Sequence, residues 1–174
     1  MEELKQFIRT VPGFPKPGIN FYDITTLFQN PRGFDMALDA MEKFVRSQRA
    51  EKILGVEARG FVLGAALADR LNLGFVPARK PGKLPHKTIS QEYSLEYGTD
   101  KLELHADAVS KGERVMIVDD LIATGGTLVA ACRLVEQLGG TVAGISSVIA
   151  LTFLPFKEKL ARYPVHYLVS YDSE

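Results

Sequence analysis

Asp119 and Asp120 stand side by side at the end of an apolar run, Val115-Met116-Ile117-Val118, and Ala123-Thr124-Gly125-Gly126-Thr127 follows shortly after. A short apolar run reads as a strand buried on both faces. Ligands of open α/β sheets bind outside the carboxyl ends of such strands. Two ionised carboxylates side by side repel, and they are tolerated when sugar hydroxyls donate to them or a cation lies close. Neighbouring strand residues point to opposite faces, so a shared task predicts that the backbone leaves strand geometry at the two acids. A Thr-Gly-Gly-Thr turn ahead of a helix offers free N–H groups, hydroxyls and a positive helix end, which together suit a phosphate. The plainer alternative is a solvated acidic turn and an N-capping threonine.

Other polar residues join this pair. Glu57-Ala58-Arg59-Gly60 follows a second apolar run, Lys52–Val56. If the two strands are neighbours, Arg59 lies at the same crevice and its guanidinium can grip a second phosphate in bidentate fashion; otherwise Arg59 forms a surface ion pair with Glu57. Residues 79–92 hold Arg79, Lys80, Lys83 and Lys87 among prolines and a glycine. A long polar loop is usually functional or mobile, and local positive charge in this one suits a transient polyanion such as pyrophosphate. Glu96 and Tyr97, in the run YSLEYG, offer a general acid or base beside an aromatic ring, or else a cross-strand packing pair. Phe21 and Tyr22 offer rings that could stack on a flat ligand, or simply fill the core. His86 reads as incidental, and Cys132, inside a helical pattern, as a small buried apolar residue.

Apolar spacing supplies the elements that position these groups. Residues 2–10 read as a short amphipathic helix and 11–20, rich in proline and glycine, as irregular. Residues 21–28 read as partly extended. Residues 33–49 repeat Phe34, Ala37, Leu38, Met41, Phe44 and Val45 at helical spacing. Strand 52–56, helix 61–71 and strand 75–78 make a βαβ unit, which implies a parallel sheet. Residues 93–97 and 101–105 alternate around Gly98-Thr99-Asp100 as an antiparallel hairpin. A helix over 128–138, ended by Gly139-Gly140, leads to a strand over 141–149, a short helix over 156–162 and a last strand over 165–171. The expected architecture is α/β, with a mainly parallel, Rossmann-like central sheet flanked by helices.

The chain has 174 residues, which favours a single domain with a sizeable core. Lys+Arg and Asp+Glu both number 21, and this balance argues against nucleic-acid or acidic-membrane binding by bulk charge. One cysteine excludes a disulfide scaffold and favours a reducing, cytoplasmic setting. No apolar run reaches membrane-spanning length. The fingerprints G-x-G-x-x-G and G-x-x-x-x-G-K-[ST] are both missing.

VMIVDDLIATGGT resembles the signature of the type I phosphoribosyltransferases. PKPGINFYDIT, GVEARGFVLGAALA, PARKPGKLP, EYSLEYGTDKLELH and FKEKL extend the likeness, in order, along nearly the whole chain. YSLEYG with RKPGKLP resembles the branch of that family that uses adenine. The resemblance implies transfer of a phosphoribosyl group from 5-phospho-α-D-ribosyl 1-diphosphate to adenine with Mg²⁺ carried by the substrate, giving AMP and pyrophosphate. It assigns the 5-phosphate to Ala123, Thr124, Gly125, Gly126 and Thr127, and the ribose to Asp119 and Asp120. Pyrophosphate falls to Arg59, Arg79, Lys80 and Lys83. Adenine falls to Phe21, Tyr22, Leu151 and Tyr97, with Glu96 and Arg59 as the catalytic pair. It also implies an unusual cis peptide ahead of Arg59, and a homodimer with Arg79 reaching the partner's site. Residues 1–32 and the C-terminal segment would form a hood over the base, and 79–105 a flexible loop and hairpin. Tyr22 stands where many members carry arginine, and Ala150 where several carry a polar residue. They keep open a relative that uses hypoxanthine, xanthine or a pyrimidine. A non-catalytic regulator that binds the sugar diphosphate is the reading from another class.

Overall fold

The computed structural model describes residues 1–94 and 98–173. A 3-10 helix, Glu2–Phe7, opens the chain and sinks Leu4 into the core. Two short strands follow, β1 (Arg9–Pro12) and β2 (Asn20–Asp23), paired antiparallel. Helix α1 spans Thr25–Gln29 and α2 spans Pro31–Ser47. The Asn30 side chain caps α2 by accepting from the Gly33 N–H at 2.9 Å, and Pro31 fills the first helical position, where a missing N–H costs nothing. Ala37, Leu38, Met41 and Val45 form its buried stripe.

Strand β3 (Lys52–Val56), helix α3 (Arg59–Leu71) and strand β4 (Gly74–Ala78) form the βαβ unit that the sequence implies. Strands β5 (Thr88–Ser94) and β6 (Thr99–His105) pair antiparallel as a separate hairpin. Strand β7 (Arg114–Ile122), helix α4 (Gly126–Gln137), strand β8 (Thr141–Leu151), helix α5 (Phe156–Lys159) and strand β9 (Val165–Tyr171) complete the chain. The main sheet is parallel throughout, in the order β4-β3-β7-β8-β9. One apolar cluster, with Leu4, Met41, Ile53 and Leu67, involves α2 and α3. The other, with Leu54, Ile117, Leu134 and Phe156, involves α4 and α5. Among the described residues, no helix is long and apolar enough to cross a membrane.

Three expectations change. Residues 9–10 and 11–12 belong to β1 rather than to a helix and an irregular stretch, because they pair with Asp23, Tyr22, Phe21 and Asn20. The polar loop is shorter than 79–92, since Thr88–Ser94 is a full strand. Its polar side chains hid it, but it pairs with Leu102 and Leu104 of β6, both fully buried. The backbone also does not leave strand geometry at the two acids, because β7 runs through both to Ile122.

Candidate functional site

The site is set by the register of two parallel neighbours. Leu54 pairs with Ile117 and Gly55 with Val118, so β3 and β7 end side by side. This places Glu57 and Arg59, just past β3, beside Asp119 and Asp120. Gly60 permits the close approach. A Cβ there would lie 2.7 Å from the Val118 carbonyl oxygen and 3.2 Å from Asp119 Cα.

Arg59 Nε donates to Asp120 Oδ2 at 2.5 Å, so the arginine pairs with Asp120 and not with Glu57. Asp120 is buried, at 6% exposure, while the guanidinium remains half exposed. The Asp120 N–H donates to Asp119 Oδ1 at 2.9 Å. Burial, and then the adjacent Asp120 charge, raise the Asp119 carboxyl well above the usual range. The two acids thus divide their work. Asp120 pairs with Arg59, and Asp119 is the acid whose protonated form its surroundings favour. The Glu57–Ala58 peptide is cis, in the segment where the family resemblance placed one.

Helix α4 begins at Gly126, capped by Gly125 at φ 79°, a conformation that glycine adopts without strain. A cavity of about 80 Å³ lies at this helix start, lined by Asp119, Ala123, Thr124, Gly125, Gly126 and Thr127 among others. Its size and its unspent backbone donors suit one phosphate group. A second cavity of about 340 Å³ shares Asp119 and Thr127 with the first, and is also bordered by Glu57, Arg59, Lys80 and Asp120. A phosphorylated sugar spanning the two would meet the helix end first and the cations second.

The basic residues gather on acids. Glu57 Oε1 accepts from Lys83 Nζ at 2.6 Å, and Oε2 from the Lys80 N–H at 3.0 Å and Arg79 Nε at 3.3 Å. Burial opposes charge on Glu57, but these donors outweigh it and bring its pKa to about 2. Lys80 Nζ pairs with Asp100 and donates to the Tyr93 hydroxyl at 2.9 Å. Arg79 therefore lies on an acid of its own chain.

The base-side candidates separate. The Arg59 guanidinium lies over the Phe21 ring, 5.8 Å from its centroid, and Phe14 packs edge-on to that ring at 5.2 Å. Phe21 thus sits with the site. Tyr22, next along β2, turns the other way: it is 8% exposed and stacks on Tyr171 at 3.6 Å. Alternation along the strand separates the two rings. Leu151 ends β8, partly buried against the core, and Ala150 before it is fully buried. Glu96 and Tyr97 lie outside the described residues. His86 packs at 6.2 Å from His105 and borders neither cavity. Cys132 is buried and free. Glu57, Tyr93 and Asp100 were missed as site residues. Their partners are spread along the chain, and only the strand registers bring them together.

A family model described as phosphoribosyl transferase domain matches residues 23–170. A protein of Acetivibrio thermocellus named adenine phosphoribosyltransferase is 56% identical over 170 residues, covering 97% of this chain and 99% of that one. A namesake from Brachyspira hyodysenteriae is 54% identical over the same shares. Among solved structures, adenine phosphoribosyltransferase from Thermoanaerobacter pseudethanolicus superposes with a TM-score of 0.94 at 50% identity, covering 98% of this chain and 99% of that one. The Saccharomyces cerevisiae enzyme, complexed with D-2,5-dideoxy-2,5-imino-altritol 1,6-bisphosphate and adenine, gives 0.92 at 41% identity, covering 97% of each chain.

Proposed function

The chain belongs to the phosphoribosyltransferase family, and from that premise we propose that it transfers the phosphoribosyl group of 5-phospho-α-D-ribosyl 1-diphosphate to adenine, giving AMP and pyrophosphate. The observation that carries this is a pair of cavities that share Asp119, Leu121 and Thr127 in their walls, a phosphate-sized one at the α4 start and a larger one bordered by Arg59, Lys80 and the two aspartates. Near-complete coverage by relatives named for that reaction supports it.

In this reading the 5-phosphate rests in Ala123–Thr127 and the ribose hydroxyls meet Asp119 and Asp120. Asp119 and Asp120 face the ring as positive character develops there, while Arg59, Arg79, Lys80 and Lys83 take the departing diphosphate. Charge fixed in place before the reaction often contributes more to a rate enhancement than any other single effect. Adenine stacks on Phe21, with Leu151 beyond it. Glu96 handles the proton that the base gives up, and Tyr97 closes over the site. The hood joins residues 1–32 to β9, a union supported by the Tyr22–Tyr171 stack and by Lys5, 4.9 Å from the Tyr171 centroid. Asp120 is already committed to Arg59, a donor set that fits Mg²⁺ arriving on the diphosphate. The ion's contribution there is neutralisation of the leaving charge. A homodimer and a cytoplasmic setting complete the proposal.

Tyr22 and Ala150 had kept other bases open. Tyr22 is buried against Tyr171 and Ala150 is fully buried, so neither departure borders the two cavities. The test is pyrophosphate release from the sugar diphosphate and Mg²⁺ with each purine in turn. Release with adenine alone is expected, and release with hypoxanthine or guanine but not adenine overturns the reading.

A further inference from the structure

We propose that Glu57 is a positioning residue for the diphosphate: its carboxylate collects Arg79, Lys80 and Lys83 and presents them as one preformed anion receptor. The proposal rests on the phosphoribosyl-transfer reading above.

The geometry supports it from three sides. First, Glu57 itself is fixed. Its N–H donates to the Ala78 carbonyl at 3.0 Å, and its side chain is only 11% exposed at the wall of the larger cavity. Second, the root of the basic segment is fixed as well. Arg79 exchanges both backbone hydrogen bonds with Glu103 of β6, at 3.0 and 2.8 Å. Third, the Glu57 carboxylate joins this root to Lys80 and Lys83, alongside the Gly82 N–H, which donates to Glu103 Oε2 at 3.2 Å, and Lys80 Nζ, which pairs with Asp100. The Glu57 carboxylate accepts from Lys83 Nζ, the Lys80 N–H and two nitrogens of Arg79, and Arg79 Nη1 in turn donates to the Lys83 carbonyl at 3.2 Å. Arginine and lysine each carry several N–H donors, so these contacts leave further donors on both side chains for a ligand.

Without the carboxylate, Arg79 and Lys83 would lose their shared counter-charge and the Lys80 N–H its acceptor, while the Lys80 ammonium keeps Asp100. The ligand would then have to order these side chains as it binds, which weakens its affinity. The carboxylate also remains charged at any working pH, because its pKa lies near 2. Its negative charge opposes an incoming diphosphate, so two effects compete. Preorganisation wins because the carboxylate is spent on four donors and the cations outnumber it.

The test uses the full chain carrying Glu57→Gln. Steady-state kinetics should give a KM for the sugar diphosphate raised by about tenfold, the low end of what outer partners of metal ligands contribute when removed, with the KM for adenine within about twofold. Calorimetry with Mg²⁺ and inorganic pyrophosphate should show a matching loss, and AMP affinity, which needs no diphosphate contact, should hold. Unchanged or tighter pyrophosphate binding overturns the proposal, as does an equal loss for AMP. If the wild-type protein releases no pyrophosphate with adenine, the functional reading fails, and the pyrophosphate titration still decides the role of Glu57. If Glu57→Gln does not fold, Glu57→Asp replaces it. One methylene shorter, it cannot reach all its donors, so pyrophosphate binding must weaken by about threefold or more while AMP binding holds. Affinity equal to wild type overturns the proposal.

Discussion

Gly60→Ala tests whether the approach of α3 to β7 holds the site together. The added Cβ would lie 2.7 Å from the Val118 carbonyl oxygen, and 3.2 Å from both Asp119 Cα and Asp119 Oδ1, where ordinary contact begins at 3.4 Å. The tightest of these contacts is to backbone in a central strand, so turning the Asp119 side chain aside does not relieve it. Two effects oppose each other. Alanine in place of glycine favours a helix by up to about 1 kcal/mol, and less in a first turn. Overpacking against a rigid neighbour costs about 1–3 kcal/mol. The net expectation is a loss of about 1–2 kcal/mol, read as a lowered urea midpoint with unchanged slope. Activity should suffer more, because relief of the overlap displaces Arg59 from Asp120, and misplacement by about 1 Å can lower a rate about 10²-fold. Gly74→Ala is the control: its nearest neighbour is the Lys52 side chain at 3.4 Å, so its effect should stay within about 0.5 kcal/mol. Gly60→Ala with wild-type stability and a kcat/KM within twofold would refute the reasoning.

The remaining expectations concern charge, assembly and the base pocket. The folded pKa of Glu57 is about 2, below its ordinary 4.5, so its stabilising contribution is present above 4.5 and is lost as pH falls through 2. Glu57→Gln should therefore flatten the acid limb of a stability–pH profile by on the order of 2 kcal/mol, and superimposable limbs would count against the contacts described. If Arg79 serves the partner's site in a dimer, mixing inactive Arg59→Ala and Arg79→Ala chains restores activity at one site of each mixed pair. If it serves its own site, mixing restores none. Tyr22→Leu should lower stability by about 1–3 kcal/mol through loss of the Tyr171 stack, leaving the adenine KM within about twofold. A tenfold KM change with intact stability would return Tyr22 to the base pocket.

Legibility in the sequence followed the strength of the apolar pattern. The apolar strands Lys52–Val56 and Val165–Tyr171 were delimited to the residue, and α2 differed only at its ends. Thr88–Ser94 was hidden because its strand character lies in its pairing with Leu102 and Leu104 rather than in its own side chains. The turn over 123–127 and the start of α4 were readable because a local run encodes them. For Arg59 the sequence offered a place at the crevice or an ion pair with Glu57, its neighbour in sequence; its partner is Asp120, which becomes close only through the β3–β7 register. The network around Glu57 spans two strand ends and a loop, and no local pattern reports it. Tyr22 was grouped with Phe21 by adjacency, which is the relation that a strand turns into opposition.

The stack of Tyr22 on Tyr171 has a consequence for assembly on the ribosome. The ring on β2 emerges early and its partner on β9 emerges last, after every strand of the main sheet. Nascent chains lengthen at about 5–20 residues per second, so this partner is missing for several seconds after β2 appears. The cradle between β7 and α4 is made from neighbours in sequence and can form meanwhile. The segment proposed for the phosphate therefore forms before the proposed seat for the base, and a nascent chain halted before Val165 would lack the Tyr171 ring that backs Tyr22.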